Sequence, residues 1–324
     1  MSETILIDVQ GMSRYYGHHR AVDNISFHVK KGEVVGFLGP NGAGKTTAMN
    51  VITGNLAPSA GSITIAGHDL LDNPKAAKGA IGYLPEQPPL YREFTVNEYL
   101  DFCAALNRLP RNQQRSAREA AKEKTGITDV AERLIGNLSK GYQQRVGIAQ
   151  AIIHMPPVVI LDEPTVGLDP IQIREIRLLI RELGREHSVI LSTHILPEVQ
   201  ATCDQVQIIN NGKLVLHDSI DGLENHLQSA SLTVAFRKPP DTSILESIKG
   251  IKKVEQQQEG RLRLFYEPDH DPTDEIVNCS TEKKWGLYEL RPGRVSLEEI
   301  FLELTTEEAA PTSTEASAQK ESVA

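Results

Sequence analysis

The eight residues "GPNGAGKT" (39–46) decide how this chain is read. They fit the pattern G-x-x-x-x-G-K-[ST] and lie between an apolar run, "VVGFL" (34–38), and a helical one, "TAMNVITG" (47–54). Strand, glycine-rich loop and helix in that order build a cradle for a polyphosphate. Gly39, Gly42 and Gly44 let the backbone wrap with its N–H groups converging, and the start of the following helix adds positive potential. Pro40, Asn41 and Ala43 complete the loop. In such a cradle Lys45 holds the β- and γ-phosphates, Thr46 offers its hydroxyl to Mg²⁺, and Thr47 contacts the α-phosphate.

A phosphate cradle needs a carboxylate for the metal, delivered from the end of a buried strand where water is scarce. "VVILDEP" (158–164) supplies Asp162 for the Mg²⁺ shell, with Glu163 beside it to polarise an attacking water. On its own, an acidic pair after an apolar run marks only a strand leaving the core; the cradle upstream changes its meaning. "SVILSTH" (188–194) is a second such strand, ending in His194. Near-continuous apolar strands separated by helical segments indicate a buried, largely parallel sheet, and ligands bind at the carboxyl edge of such a sheet. His194 is therefore placed as a γ-phosphate sensor.

Further out, composition sets the bounds. The chain has 324 residues, 40% of them hydrophobic, enough for about two domains. A net charge of −9 with a pI near 5.6 argues against a general grip on nucleic acid. Cys103, Cys203 and Cys279 are far apart and lack metal spacing, which fits a reducing compartment. The start "MSETILIDVQ" has no basic and apolar leader pattern, and no apolar run approaches the length of a membrane helix. A cytoplasmic chain that reaches a membrane only through partners is the expectation.

Residues 1–222 read as an α/β domain that opens with strands "ILIDVQ" (5–10), "ISFHV" (25–29) and "SITIAG" (62–67). Its helical middle includes a capping box, "TVNE" (95–98), and a charged helix after Pro110 whose charges face solvent. After the Asn-Gly turn at 211–212 the pattern changes. Residues 223–305 read as β-α-β-β-α-β, from "SLTVAF" (231–236), "SILESIK" (243–249), "IKKVEQQ" (251–257), "RLRLFYE" (261–267), "DEIVNCSTEKKW" (274–285) and "LYELRP" (287–292), closed by a helix at "SLEEIFLEL" (296–304). That order is a small α+β unit of ferredoxin-like type. Residues 306–324, poor in large apolar side chains, are expected to be disordered.

With "LSKGYQQR" (138–145), "GLD" (167–169) and "STH" (192–194), these motifs occur in the order and spacing of an ABC transporter ATP-binding subunit, which residues 4–220 resemble. The resemblance implies an ABC-type P-loop NTPase, with a mixed sheet and a helical subdomain at about 88–138. It implies an ATPase working with Mg²⁺ as a homodimer or paired subunit, each ATP lying between the cradle of one subunit and the signature of the other. By the same resemblance Ser139 and Gly141 contact the opposite subunit's γ-phosphate, Asp169 links the two sites, and Tyr16 stacks on adenine. Transmembrane permease subunits on separate chains would be the partners, at the inner face of the cell membrane, with no nucleic acid involved. Lys140 and Tyr142 depart from the usual L-S-G-G-Q signature in a way that resembles exporter ATPases. In "IGYLPEQPPLY" (81–91), Glu86, or Gln87 one place later, stands where the family has its metal-contacting glutamine. A soluble ABC-type ATPase acting on DNA or ribosomes is the alternative; it predicts a long coiled-coil insertion or a second cradle, and neither is present.

Overall fold

The computed structural model describes residues 4–220, 222, 231–257, 260–267 and 270–293. The chain divides into two compact units, 1–220 and 221–324.

The first unit opens with strands β1 (Ile5–Tyr16) and β2 (His19–Lys30), then β3 (Val34–Leu38), helix α1 (Lys45–Ile52), β4 (Ala60–Ile65) and β5 (His68–Asp69). Helix α2 (Pro74–Gly79) and β6 (Ile81–Leu84) lead into α3 (Val96–Leu106), α4 (Arg111–Thr125) and α5 (Lys140–Ile152). Then β7 (Val158–Asp162), α6 (Pro170–Leu183), β8 (Ser188–Thr193), α7 (Leu196–Thr202), β9 (Gln205–Asn210) and β10 (Lys213–Ser219) complete it.

Every residue of β3, β7 and β8 is buried, which is why their sequences run apolar without alternation. They lie in a six-stranded sheet of order β10-β9-β3-β8-β7-β6, parallel except for the β9–β10 hairpin. In register, Leu38 pairs with Thr193 and Asp162 with Ser192. The loops that follow β3, β7 and β8 therefore leave the sheet side by side, and this pairing assembles the site.

A second, antiparallel sheet has the order β2-β1-β4-β5. Its Ile7, Val9, Ile25 and Ile63 share a core with Met49 and Ile52 of α1 and with Phe37, Ile160 and Ile190 of the larger sheet. β1 and β2 run well past the stretches expected from sequence. The ladder carries register shifts around Gly11, so the polar segment "GMSRYY" stays paired without showing alternation.

Between the two strand-rich parts, α3 begins on the expected capping box. Thr95 Oγ1 accepts from Glu98 N at 3.2 Å, and Thr95 N donates to Glu98 Oε2 at 2.8 Å. Such a cap contributes about 1 kcal/mol. The α4 helix starts after Pro110 and ends on Gly126 in the left-handed region, at φ 64°.

In the second unit β11 (Ser231–Phe236), α8 (Thr242–Glu246), β12 (Ile251–Gln256), β13 (Arg261–Tyr266), α9 (Thr273–Glu282) and β14 (Leu287–Gly293) follow in that order. The antiparallel sheet runs β12-β13-β11-β14, and Leu232, Val234, Leu245, Leu264, Ile276 and Trp285 form its core. The α8 helix is shorter than the expected 243–249, because the chain turns at Gly250, with φ 86°, to enter β12. The expected closing helix at 296–304 and the tail at 306–324 lie outside the described residues.

Candidate nucleotide site

The loop after β3 wraps into the start of α1, and Gly44 is its N-cap, with φ 106° and no side-chain cap. A Cβ at Gly44 would stand 2.3 Å from the Ala21 carbonyl oxygen, so only glycine lets β2 pass this close to the helix start. Lys45, only 5% exposed, donates from Nζ to the carbonyls of Gly39 at 2.8 Å and Pro40 at 3.2 Å, and its Nζ lies 3.4 Å from Glu163 Oε1. Gly39 N in turn donates to the Thr193 carbonyl at 3.3 Å. Pro40 closes a turn by accepting from Ala43 N at 3.2 Å, while Asn41, Gly42 and Thr46 are exposed and Thr47 is half-buried.

Glu163 has the backbone conformation of a left-handed residue, φ 49°, unusual outside glycine. Conformations of this kind cost about 1–3 kcal/mol and persist where surrounding bonds enforce them. Here Glu163 N donates to the Ser192 carbonyl at 2.8 Å, anchoring the turn to β8, and the carboxylate splits between two partners. Its Oε1 meets Lys45, and its Oε2 lies 2.9 Å from His194 Nδ1. When Nδ1 carries the ring proton it donates to this carboxylate and leaves Nε2 as an acceptor facing away from it. The His194 side chain is 39% exposed, while that of Glu163 is 7% exposed.

Asp162 is completely buried. Burial pushes its carboxyl above the ordinary aspartate value; hydrogen bonding from Ser192 and Thr46 pulls the other way, and the nearby charges of Glu163 and Glu86 raise it again. Oδ1 accepts from Ser192 Oγ at 2.7 Å, whereas Oδ2 has no hydrogen-bond partner of normal geometry among the described residues. A buried, underbonded carboxylate oxygen next to a hydroxyl and a second carboxylate is an oxygen-rich donor set suited to a hard divalent cation. Asp162, Thr46 and Glu86 thus fit Mg²⁺. Gln87, the other candidate in this loop, is exposed, as is Glu86. The loop is pinned on both sides, by Gln150 Nε2 donating to Tyr83 O at 2.8 Å and by Tyr99 Oη donating to Pro89 O at 3.1 Å.

Tyr16 ends β1, opposite His19; the residue is 47% exposed, and the Arg14 guanidinium lies 5.0 Å from its ring centroid. The structure gives it no bond to the P-loop among the described residues.

The signature segment forms a second, separate cluster. Ser139 is the N-cap of α5 and accepts from Tyr142 N at 3.4 Å. Gly141 is buried, and a Cβ there would come within 2.7 Å of the Gln172 side chain on α6. Its lack of a side chain thus already serves packing inside one chain. Asp169 caps α6, accepting from Ile171 N at 3.0 Å and Gln172 N at 2.9 Å. The Lys140 side chain lies over Gly167, so the signature and the "GLD" loop touch. No hydrogen bond or ion pair among the described residues joins Ser139, Gly141 or Asp169 to the P-loop.

Sequence reasoning missed two connections. Tyr142 Oη donates to Asp129 Oδ2 at 3.0 Å, tying the signature helix to the preceding turn. Glu198 on α7 accepts from Thr165 and Thr193, the neighbours of Glu163 and His194. Asp129 and Glu198 lie outside the motifs, so only the folded chain brings them to their partners.

A glycine-rich loop over a helix start, a buried lysine and a strand-end Asp-Glu pair define a P-loop nucleotide triphosphatase. The ABC transporter family pattern matches residues 22–166, and the chain belongs to the ABC transporter ATP-binding proteins. It is 34% identical over 262 residues to the bacitracin transport ATP-binding protein BcrA of Bacillus licheniformis, spanning 80% of this chain and 85% of that one. To the ABC transporter ATP-binding protein NatA of Bacillus subtilis it is 39% identical over 219 residues, 67% of this chain and 89% of NatA. The structure of cbiO1 from Clostridium perfringens, part of the ABC transporter complex cbiONQ, superposes with a TM-score of 0.63 at 30% identity, covering 68% of this chain and 91% of that one. The chain is accordingly the ATP-binding subunit of an ABC transporter and hydrolyses ATP in a reaction coupled to transport. No helix among the described residues is long and apolar enough to cross a membrane.

Proposed function

We propose that this subunit powers export through transmembrane permease subunits on separate chains, at the inner face of the cell membrane. The observation that carries the catalytic part is the cluster in which buried Glu163 is held between buried Lys45 and the more exposed His194. Glu163 orients the attacking water, and Lys45 and His194 stabilise the charge that develops on the γ-phosphate, so catalysis is positioning and electrostatics. Asp162, Thr46 and Glu86, or Gln87 in its place, hold Mg²⁺, which when bound neutralises phosphate charge. The P-loop residues 39–47 hold the triphosphate, and Tyr16 stacks its free face on adenine.

The second cluster acts on a partner. The exposed start of α5 at Ser139, with Gly141 behind it and Asp169 on the adjoining loop, completes the ATP site of a second copy or a paired ATPase subunit. Exposure of Ser139, Gly167 and Asp169 in a single chain supports this. The loop after Glu86 and the helical segment at about 88–138 pass the motion to the permease; the partly exposed rings of Tyr91 and Phe102, stacked edge-on at 5.5 Å, offer a surface for it. Export is supported by the "LSKGYQQR" signature and by the likeness to a bacitracin transport protein.

Turnover of Glu163→Gln tests the site. Loss of about 100-fold or more in ATP hydrolysis, with ATP binding retained, is expected; near-normal turnover rejects the assigned role.

For residues 223–305, a ferredoxin-like domain is supported by the β-α-β-β-α-β order and the strand order β12-β13-β11-β14. We assign it a regulatory or dimer-supporting role. A chain ending at residue 222 should then show a changed ATPase rate or dimer content; unchanged assembly, ATPase rate and transport would remove that role.

A further inference from the structure

Glu198 lies four residues beyond His194, on α7, and is 1% exposed. A buried carboxylate persists only when its charge is compensated and its oxygens are bonded. Both oxygens are. Oε1 accepts from Thr165 Oγ1 at 2.5 Å and Oε2 from Thr193 Oγ1 at 2.9 Å, while Arg177 Nη2 of α6 stands 3.7 Å from Oε1. Hydrogen bonds from hydroxyls to a carboxylate are among the stronger ones in proteins.

The chain positions of these donors give the arrangement its meaning. Thr165 is two residues after Glu163, in the turn forced by the left-handed Glu163 backbone. Thr193 directly precedes His194, its hydroxyl also accepts from Ile195 N at 3.1 Å, and its carbonyl receives Gly39 N of the P-loop at 3.3 Å. One side chain therefore grips the loop that carries Glu163 with one oxygen and the loop that carries His194 with the other. Arg177 adds the helix capped by Asp169.

We infer that Glu198 is a positioning residue for ATP hydrolysis, a carboxylate clamp that sets the separation of Glu163 and His194. No hydrogen bond or ion pair among the described residues joins it to either of them, and the inference rests on the reading of Glu163 and His194 as the catalytic pair. An error of about 1 Å in such a pair can cost on the order of 100-fold in rate. Binding of the triphosphate depends on Lys45 and the P-loop, whose bond to Thr193 is through the backbone carbonyl and not the hydroxyl that Glu198 holds, so losing the clamp should reduce kcat and spare nucleotide affinity.

The test uses the full chain with MgATP. Glu198→Gln, Thr165→Val and Thr193→Val are compared with Glu163→Gln for kcat, ATP affinity and Tm. Expected are a kcat loss of about tenfold or more for Glu198→Gln with ATP affinity within about twofold, and smaller losses for each threonine variant. In the Glu198→Gln background the threonine changes should add little, because all three act through the same two contacts. A purely structural role would lower Tm and ATP affinity together, with threonine effects that simply add, and this result overturns the inference. So does normal kcat in Glu198→Gln while Glu163→Gln is inactive. Should Glu163→Gln keep its turnover, the catalytic pair itself fails and the clamp with it. If Glu198→Gln does not fold, the two threonine variants decide: unchanged kcat in both rejects the clamp.

Discussion

The P-loop and the signature segment are both helix starts suited to a phosphate, yet the chain treats them differently. At Gly44 the helix has no side-chain cap, its first side chain, Lys45, is buried, and Glu163, His194 and Asp162 crowd around it from two other strands. At Ser139 the helix is capped by its own side chain, the N-cap and Lys140 are exposed, and its partners, Asp129, Gly167 and Gln172, are local. One end is a closed constellation of opposing charges, the other an open surface. The contrast supports the proposed division of labour: the first site gathers its side chains within one chain, while the second leaves a capped helix start open for the nucleotide of a partner.

The largest effect should come from blocking the open end. Ser139→Arg places a long cation at the exposed N-cap and removes the hydroxyl. ATP hydrolysis and ATP-driven dimerisation should fall by about 100-fold or more, while nucleotide affinity of the monomer, read by titration of a fluorescent ATP analogue, stays within about twofold. Loss of monomer binding would merge the two sites and end the contrast.

Much of the closed end was legible in the sequence because it is written in runs. The residues 39–46, 158–163 and 188–194 each combine an apolar strand with the polar residue that follows it, and parallel pairing carries those three ends to one edge. Tertiary features escaped. The polar half of β1 shows no alternation because a bulged ladder, not burial on one face, holds it. The Glu198 clamp depends on two threonines that pairing of β7 with β8 brings together, and a glutamate in a short helix carries no linear signal of that. Gly141 illustrates the converse: a motif glycine that suggests an approaching ligand also has Gln172 packed against it within its own chain.

The next effect probes the cost of closing the first site. Burial raises the Asp162 carboxyl above its ordinary value, so the folded chain binds that proton more tightly than the unfolded one. Stability from this group is therefore complete below the ordinary aspartate value and is lost as pH rises through the folded value. Asp162→Asn removes the penalty. In metal-free, nucleotide-free protein it should gain about 1–2 kcal/mol at neutral pH, with the gain shrinking as the pH is lowered toward about 4. Denaturation midpoints at pH 5 and pH 8 measure it, and ATP hydrolysis should be lost in the same variant. A variant less stable than the parent at pH 8 would mean that the hydroxyls of Ser192 and Thr46 outweigh desolvation.

The smallest effect concerns what distinguishes this signature from the usual one. Tyr142 stands where a glutamine is common, and its hydroxyl donates to Asp129 Oδ2 at 3.0 Å on an exposed face. That bond raises the tyrosine above its ordinary value, with the Asp129 carboxylate as the main cause. An exposed hydrogen bond of this kind contributes roughly 0.5–1 kcal/mol. Tyr142→Phe should therefore lower Tm by no more than about 2–4 °C, and hydrolysis should stay within about twofold, because the phenol secures the back of the helix and leaves the Ser139 end unchanged. A tenfold loss of turnover with unchanged Tm would instead put the phenol among the groups that face the partner's nucleotide, and the open surface would have to be redrawn to include it.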